Sequence, residues 1–171
     1  MDVNSFLLEE NGPFPNNGSL PLLRYGKVYN PEDFAPDTLA KEFEELFAAN
    51  NWPPAWRNGI FSVHHYHSTA HEALGVYSGS ARDQFGGNGG QVVEVVPGDV
   101  VVVPAGVAHK LISSDGRLGI VGAYPEGQSP DMCYGTQGER PDADKRISSV
   151  PLPELDPVLG NSDATTGPWK K

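Results

Sequence analysis

From Gly59 to Tyr124 the chain alternates short apolar runs of period two with tight-turn signals, a pattern suited to an antiparallel β architecture. The runs are "GIFSVHHYH", "EALGVYSGSARDQF", "QVVEV", "VVVVP" and "RLGIVGAY", enough for five or six short strands. Gly-Gly-Asn-Gly-Gly at 86–90 supplies a hairpin tip. Pro97-Gly98-Asp99 supplies a turn whose aspartate can bond neighbouring backbone amides. The valine run reads as a strand buried on both faces. Proline avoids this stretch: of sixteen, seven lie in residues 1–54, seven in 125–171, and only Pro97 and Pro104 between.

The flanks are of different character. "DTLAKEFEELFAANN" repeats Leu39, Phe43, Leu46 and Phe47 at helical spacing, which predicts one amphipathic helix over 37–50, with Asp37 available to cap it. Residues 126–171 lack clear periodicity beyond a possible helical turn at "DADKRISS", and read as a proline-rich coil wrapped over the barrel or a partner. A length of 171 residues suits one domain. Its expected parts are an N-terminal extension (1–54), a barrel core (55–125) and a tail (126–171).

Charge excludes several roles. The net charge is -10, and residues 1–54 carry nine acids against three bases. No Lys/Arg cluster precedes the terminal Lys170-Lys171 pair, so neither a nucleic-acid nor an anionic-membrane partner is expected. The single cysteine, Cys133, cannot form an internal disulfide. "MDVNSFLLEENG" lacks the basic start and apolar run of a secretory signal, so the expectation is a cytoplasmic protein, and the Asn17-Gly18-Ser19 sequon is a chance match.

Into this β pattern the chain sets "HHYHSTAHE", four histidines and a glutamate in nine residues. Side chains alternate across an extended strand, which would put Phe61, Val63, His65 and His67 on one face and His64 and Tyr66 on the other. Two imidazoles at i and i+2 can share one cation. Glu72 opens the next strand with the parity of Leu74 and Val76 and can point the same way; His109, the other histidine of the chain, follows the valine strand and a Pro-Ala-Gly turn. Three imidazoles and a carboxylate suit Fe, Mn, Ni, Co or Zn. Burying such a set without a shared cation would leave several polar groups to satisfy at a few kcal/mol each.

Two spacings then coincide with a known pattern. Gly59, His65, His67, Glu72 and Gly79 spell G-x5-H-x-H-x4-E-x6-G, and Gly98, Pro104, Gly106 and His109 spell G-x5-P-x-G-x2-H. These resemble the first and second cupin motifs, 18 residues apart. The second motif ordinarily closes with asparagine, where this chain has Ser113, a position that is not a family ligand. "WRNGIF", "GAYPEG", "GERP" and "VPLPELDPV" extend the likeness to the YjlB-like single-domain cupins. The resemblance implies a double-stranded β-helix, or jelly-roll barrel, with one divalent metal ion held by His65, His67, Glu72 and His109 inside its mouth. Cupin likeness also implies a homodimer.

Around that site, parity makes Phe61, Val63, Leu74, Val76 and Leu111 the expected cavity wall, suited to a small organic molecule. His71 is a candidate acid/base group at the mouth and Arg57 a candidate clamp for a substrate anion, against a salt bridge to the acidic N-terminal region. Two adjacent open metal positions suit oxygenase or isomerase chemistry. A non-catalytic sugar-binding or sensor barrel is the alternative, and a metal-free epimerase conflicts with the complete ligand set.

Overall fold

The computed structural model describes residues 1–160 and Trp169. Nine strands form two antiparallel sheets. In chain order they are β1 (Asp2–Leu8), β2 (Asn17–Gly26), β3 (Pro54–Asn58), β4 (Glu72–Ser78), β5 (Ala81–Phe85), β6 (Gln91–Val95), β7 (Val100–Val103), β8 (His109–Ser114) and β9 (Gly119–Ala123). The larger sheet runs β1-β2-β7-β4-β9-β3 and the smaller β6-β5-β8. Helices α1 (Pro36–Ala49) and α2 (Asp142–Ser149) and a short 3-10 turn, Pro31–Asp33, complete the elements among the described residues.

The valine strand explains how the layers stack. All four β7 residues are buried, and they divide by parity. Val100 and Val102 face a core with Phe43, Phe47, Trp52 and Tyr25, whereas Val101 and Val103 face the barrel interior with Leu74, Phe85, Val93 and Ile120. The larger sheet is therefore covered by α1 on one face and by the smaller sheet on the other, which is why its central strand carries no polar alternation. Close approach of helix and sheet depends on Gly75, where a Cβ would come within 2.8 Å of the Phe43 ring.

Several expectations are met and several corrected. The helix expected over 37–50 is α1, but its N-cap is Ala35 with no side-chain cap bond; Pro36 opens it and Asp37 lies in the first turn. Proline there supplies a pre-set φ and lacks only an N–H that no helical bond needs. Asp99 does cap its turn, accepting from the Val96 and Lys27 amides. "GIFSVHHYH" is not a strand. Isolated bridges, His65 to His109 and Tyr66 to Cys133, tie it down together with single backbone bonds from Leu111 N to the Phe61 carbonyl and from Gly106 N to that of His67.

The N-terminal extension holds a hairpin that periodicity did not reveal. β2 joins the barrel by pairing Leu23, Arg24 and Tyr25 with Val102, Val101 and Val100. Pro21 obscures the strand in sequence, yet it falls at the irregularity between the Leu22–Phe6 and Asn17–Leu8 pairs, where no ladder N–H is required. The tail, as far as Gly160, folds back on its own barrel. Trp52 Nε1 donates to the Leu155 carbonyl at 2.9 Å and Asn50 Nδ2 to that of Pro157 at 2.8 Å. "DADKRISS" forms α2, whose Ala143 packs with Phe14, Tyr66 and Cys133.

Candidate metal centre

Four side chains from three stretches of chain converge at one end of the barrel. His65 and His109 exchange backbone hydrogen bonds (3.1 and 2.9 Å), which sets their rings side by side with centroids 4.2 Å apart. His67 is fixed from outside the strand ladder. Its carbonyl accepts from Gly106 N at 2.7 Å, across a turn in which Gly106 holds a φ of 94°. Glu72 enters on the first residue of β4, paired with Val103.

Each ring is oriented by its second nitrogen, with one exception. His65 Nδ1 donates to the Val63 carbonyl at 2.9 Å, and His67 Nδ1 to the carbonyl of Asp131. The Asp131 carboxylate is itself anchored by the Ser68 amide and hydroxyl, so the loop carrying that carbonyl is held in place. His109 Nδ1 is buried without a hydrogen-bond partner. Glu72 divides its oxygens: Oε1 accepts from the Tyr124 hydroxyl at 3.2 Å, while Oε2 is buried and unpartnered. Trp56 Nε1 donates to that same hydroxyl at 2.9 Å.

Glu72 Oε2 lies 3.5 Å from His67 Nε2 and 4.0 Å from His109 Nε2, beyond hydrogen-bond reach of both. Donors bound about 2.1 Å from one cation stand about 3.0–4.2 Å apart, so both separations fit a shared ion. Among the described residues no group of three or more His, Cys, Asp or Glu side chains is placed so that it could hold a metal ion as it stands. The fit rests on the donors' chemistry and on the orphaned oxygen between them.

Burial dominates the electrostatics. It pulls the His109 pKa well below its usual value, helped by the neighbouring His65 and His67, and lowers that of His65. For His67 burial acts downward too, but the Glu72 carboxylate and the Asp131 carbonyl outweigh it and the net direction is up. Neutral His65 and His109 have lone pairs free for a cation. Burial also raises the Tyr124 phenol, with Glu72 adding to the effect, so its proton stays in place at neutral pH.

The donors open on a cavity of about 300 Å³ walled by Trp56, Ile60, Phe61, Leu74, Tyr124 and Met132. Of the five residues expected on its wall, Phe61 and Leu74 are there. Val63 is 55 % exposed, because the segment before His65 is not a strand. Val76 and Leu111 lie in the barrel core away from the cavity. Trp56, Tyr124 and Met132 were not anticipated. Trp56 comes from β3 opposite Gly122, where a Cβ would collide with the indole at 2.1 Å, and nothing in a strand-parity argument signals such a pairing.

The two candidate catalytic side chains are turned elsewhere. His71 is 1 % exposed and does not line the cavity; its Nδ1 accepts from Ala105 N at 2.9 Å and its ring packs on Trp169 at 4.8 Å. Burial lowers its pKa to about 4. Arg57 forms a two-pronged salt bridge with Glu44 of α1, at 2.7 and 2.9 Å, the alternative to a substrate clamp. His64 and Tyr66 do point away from the donors: His64 packs on Phe14 and bonds Asn88, and Tyr66 is buried beside Cys133.

Comparison with known proteins agrees with this architecture. The Cupin family model matches residues 57–123. The uncharacterized protein YjlB of Bacillus subtilis is 34% identical over 170 residues, covering 99% of this chain and 98% of its own. The chain belongs to the YjlB-like cupins. Among solved structures, this cupin resembles acireductone dioxygenase from Bacillus anthracis, which holds a cadmium ion in its active centre, at 18% identity. The match covers 64% of this chain and 82% of that one, with a TM-score of 0.47. HEPD from Streptomyces albus, with 2-hydroxyethylphosphonate and Fe(II) bound, matches at 16% identity and a TM-score of 0.31 over 61% of this chain and 20% of its own. Among the described residues of the cupin no helix is long and apolar enough to cross a membrane.

Proposed function

We propose that this cupin is a cytoplasmic metal-dependent protein that holds one divalent cation (Fe, Mn, Ni, Co or Zn) through His65, His67, Glu72 and His109 and acts on a small polar organic molecule as an oxygenase or isomerase. One observation carries the reading: Glu72 Oε2, buried and unpartnered, faces two imidazole nitrogens at 3.5 and 4.0 Å. A buried carboxylate left so is costly, and a cation there would satisfy it and the rings together.

The bound ion would supply a Lewis acid for a polar oxygen of the substrate. The chain's own groups do the rest. Trp56, Ile60, Phe61 and Met132 present apolar surface to the body of the substrate and exclude water from it. The Tyr124 hydroxyl accepts from the Trp56 indole N–H and donates its own proton to Glu72 Oε1, which fixes the carboxylate's direction. A non-catalytic small-molecule or sugar-binding barrel is the second reading, favoured by one feature: the Tyr124 proton is already committed to Glu72. A homodimer forms part of the proposal and is read by light scattering.

Purification without added metal, followed by quantification of bound metals and by oxygen-uptake assays on small diketones, diols and thiols, tests the reading. Near-stoichiometric iron or nickel with substrate-dependent oxygen loss is the result expected of an oxygenase. Stoichiometric zinc with ligand binding and no turnover selects the second reading, and a protein that binds none of these metals refutes the metal-dependent one.

A further inference from the structure

Asp83 is a carboxylate that neither the fold nor the cation site accounts for. It sits in the middle of β5, 1 % exposed, and neither of its oxygens has a hydrogen-bond partner. The burial alternation of β5 directs it inward with Ala81 and Phe85, towards the apolar space between the sheets. An unpaired carboxyl group in such a place needs a reason.

The register of the smaller sheet supplies one. Asp83 pairs with Leu111 and Phe85 with His109, so Asp83 and His109 are diagonal neighbours on the inner face. Such diagonal positions stand about 7–8 Å apart at the backbone, within reach of side chains or of side chains bridged by one water. His109 Nδ1 is the ring nitrogen that lacks a partner, whereas those of His65 and His67 each reach a carbonyl. Two orphaned and complementary groups thus lie on one inner face of the barrel.

Charge points the same way. A divalent cation bound by one carboxylate and three neutral imidazoles leaves a net positive charge in a poorly solvated interior, and a second carboxylate nearby would neutralise it. Ligating imidazoles also bind best when their outer N–H is held by a carboxylate, carbonyl or water.

We propose that Asp83 is the positioning residue for His109: it accepts the Nδ1–H through one bridging water, turning Nε2 towards Glu72 and balancing the charge of the bound cation. This rests on the metal-binding reading above. It assigns Asp83 to the site from behind, through the barrel wall, and not to the cavity where substrate would lie.

Asp83→Asn and Asp83→Leu test the assignment with two measurements: zinc competition against a chromophoric chelator, and long-range proton–nitrogen spectra of the histidine rings at one fixed pH without metal. Zinc affinity is expected to fall about 10–100-fold in both variants. The ring signals of His109 move in both, and those of His64 stay. Unmoved His109 signals, or unchanged zinc affinity in a protein that binds zinc, overturn the assignment. Should the parent bind no zinc, the metal-binding reading fails by itself, and the metal-free His109 signals still decide: movement supports the Asp83 contact and its absence refutes it.

Discussion

The Tyr124 hydroxyl donates to Glu72 Oε1 at 3.2 Å, and this bond leaves Oε2 as the oxygen that faces His67 and His109. A residue beyond the end of β9 thus decides which lone pairs of a β4 carboxylate are free. Tyr124→Phe leaves Oε1 and the Trp56 indole N–H without their shared partner. The expected cost is about 1–3 kcal/mol of stability, read by urea unfolding. A variant as stable as the parent would show that the hydroxyl is dispensable for holding Glu72.

His67→Ala and His109→Ala separate metal binding from packing. A ligand bound only by the folded state stabilises it, by about 2.7 kcal/mol at a hundred times its dissociation constant. Added zinc is expected to raise the melting temperature of the parent and leave both variants where they were. Equal zinc shifts in parent and variants would remove both residues from the ligand set.

His71 predicts a pH dependence of defined sign. Burial depresses its folded pKa, so the folded state keeps it neutral where the unfolded chain takes up a proton. Stability is complete above the unfolded value and is lost as pH falls below it, until the folded value is reached. Between pH 6.5 and about 4 the parent is expected to lose about 3 kcal/mol more than His71→Asn. Asparagine offers an oxygen to Ala105 N but cannot titrate. Urea unfolding with a chelator present, at several pH values, makes the comparison; parallel curves would mean that His71 is charged in the folded protein.

Arg57→Ala tests the placement of that guanidinium outside the site. Its bridge to Glu44 is partly solvated, and such pairs contribute less than about 1 kcal/mol. Stability and zinc affinity are both expected to stay close to the parent's. A large loss of zinc affinity would return Arg57 to the site.

The candidate donors were legible because a metal motif is local chemistry at fixed spacing. His65 and His67 keep the parity that an extended backbone dictates even though their segment carries only isolated bridges. Val63 shares that parity and is exposed, since the chain bends at residues 62 and 63 between the Phe61 carbonyl, bonded by Leu111, and the His65 bridge. Trp56 and Tyr124 escaped notice because they reach the site through the β3–β9 pairing and the chain that leaves it. Arg57 and His71 misled because a side chain's partner can come from any element, here Glu44 of α1 and Ala105 after β7.

By itself the sequence determined the β class, the helix before it and the family likeness that names four candidate donors. Each depends on hydrophobic period or on residue type at short range. Tertiary structure alone decided that β1 and β2 join the larger sheet, which oxygen of Glu72 is left free and that Asp83 lies diagonal to His109 in the smaller sheet. Those outcomes depend on pairing between segments far apart in the chain. No local pattern encodes such pairing, since register is settled by the packing of the whole barrel.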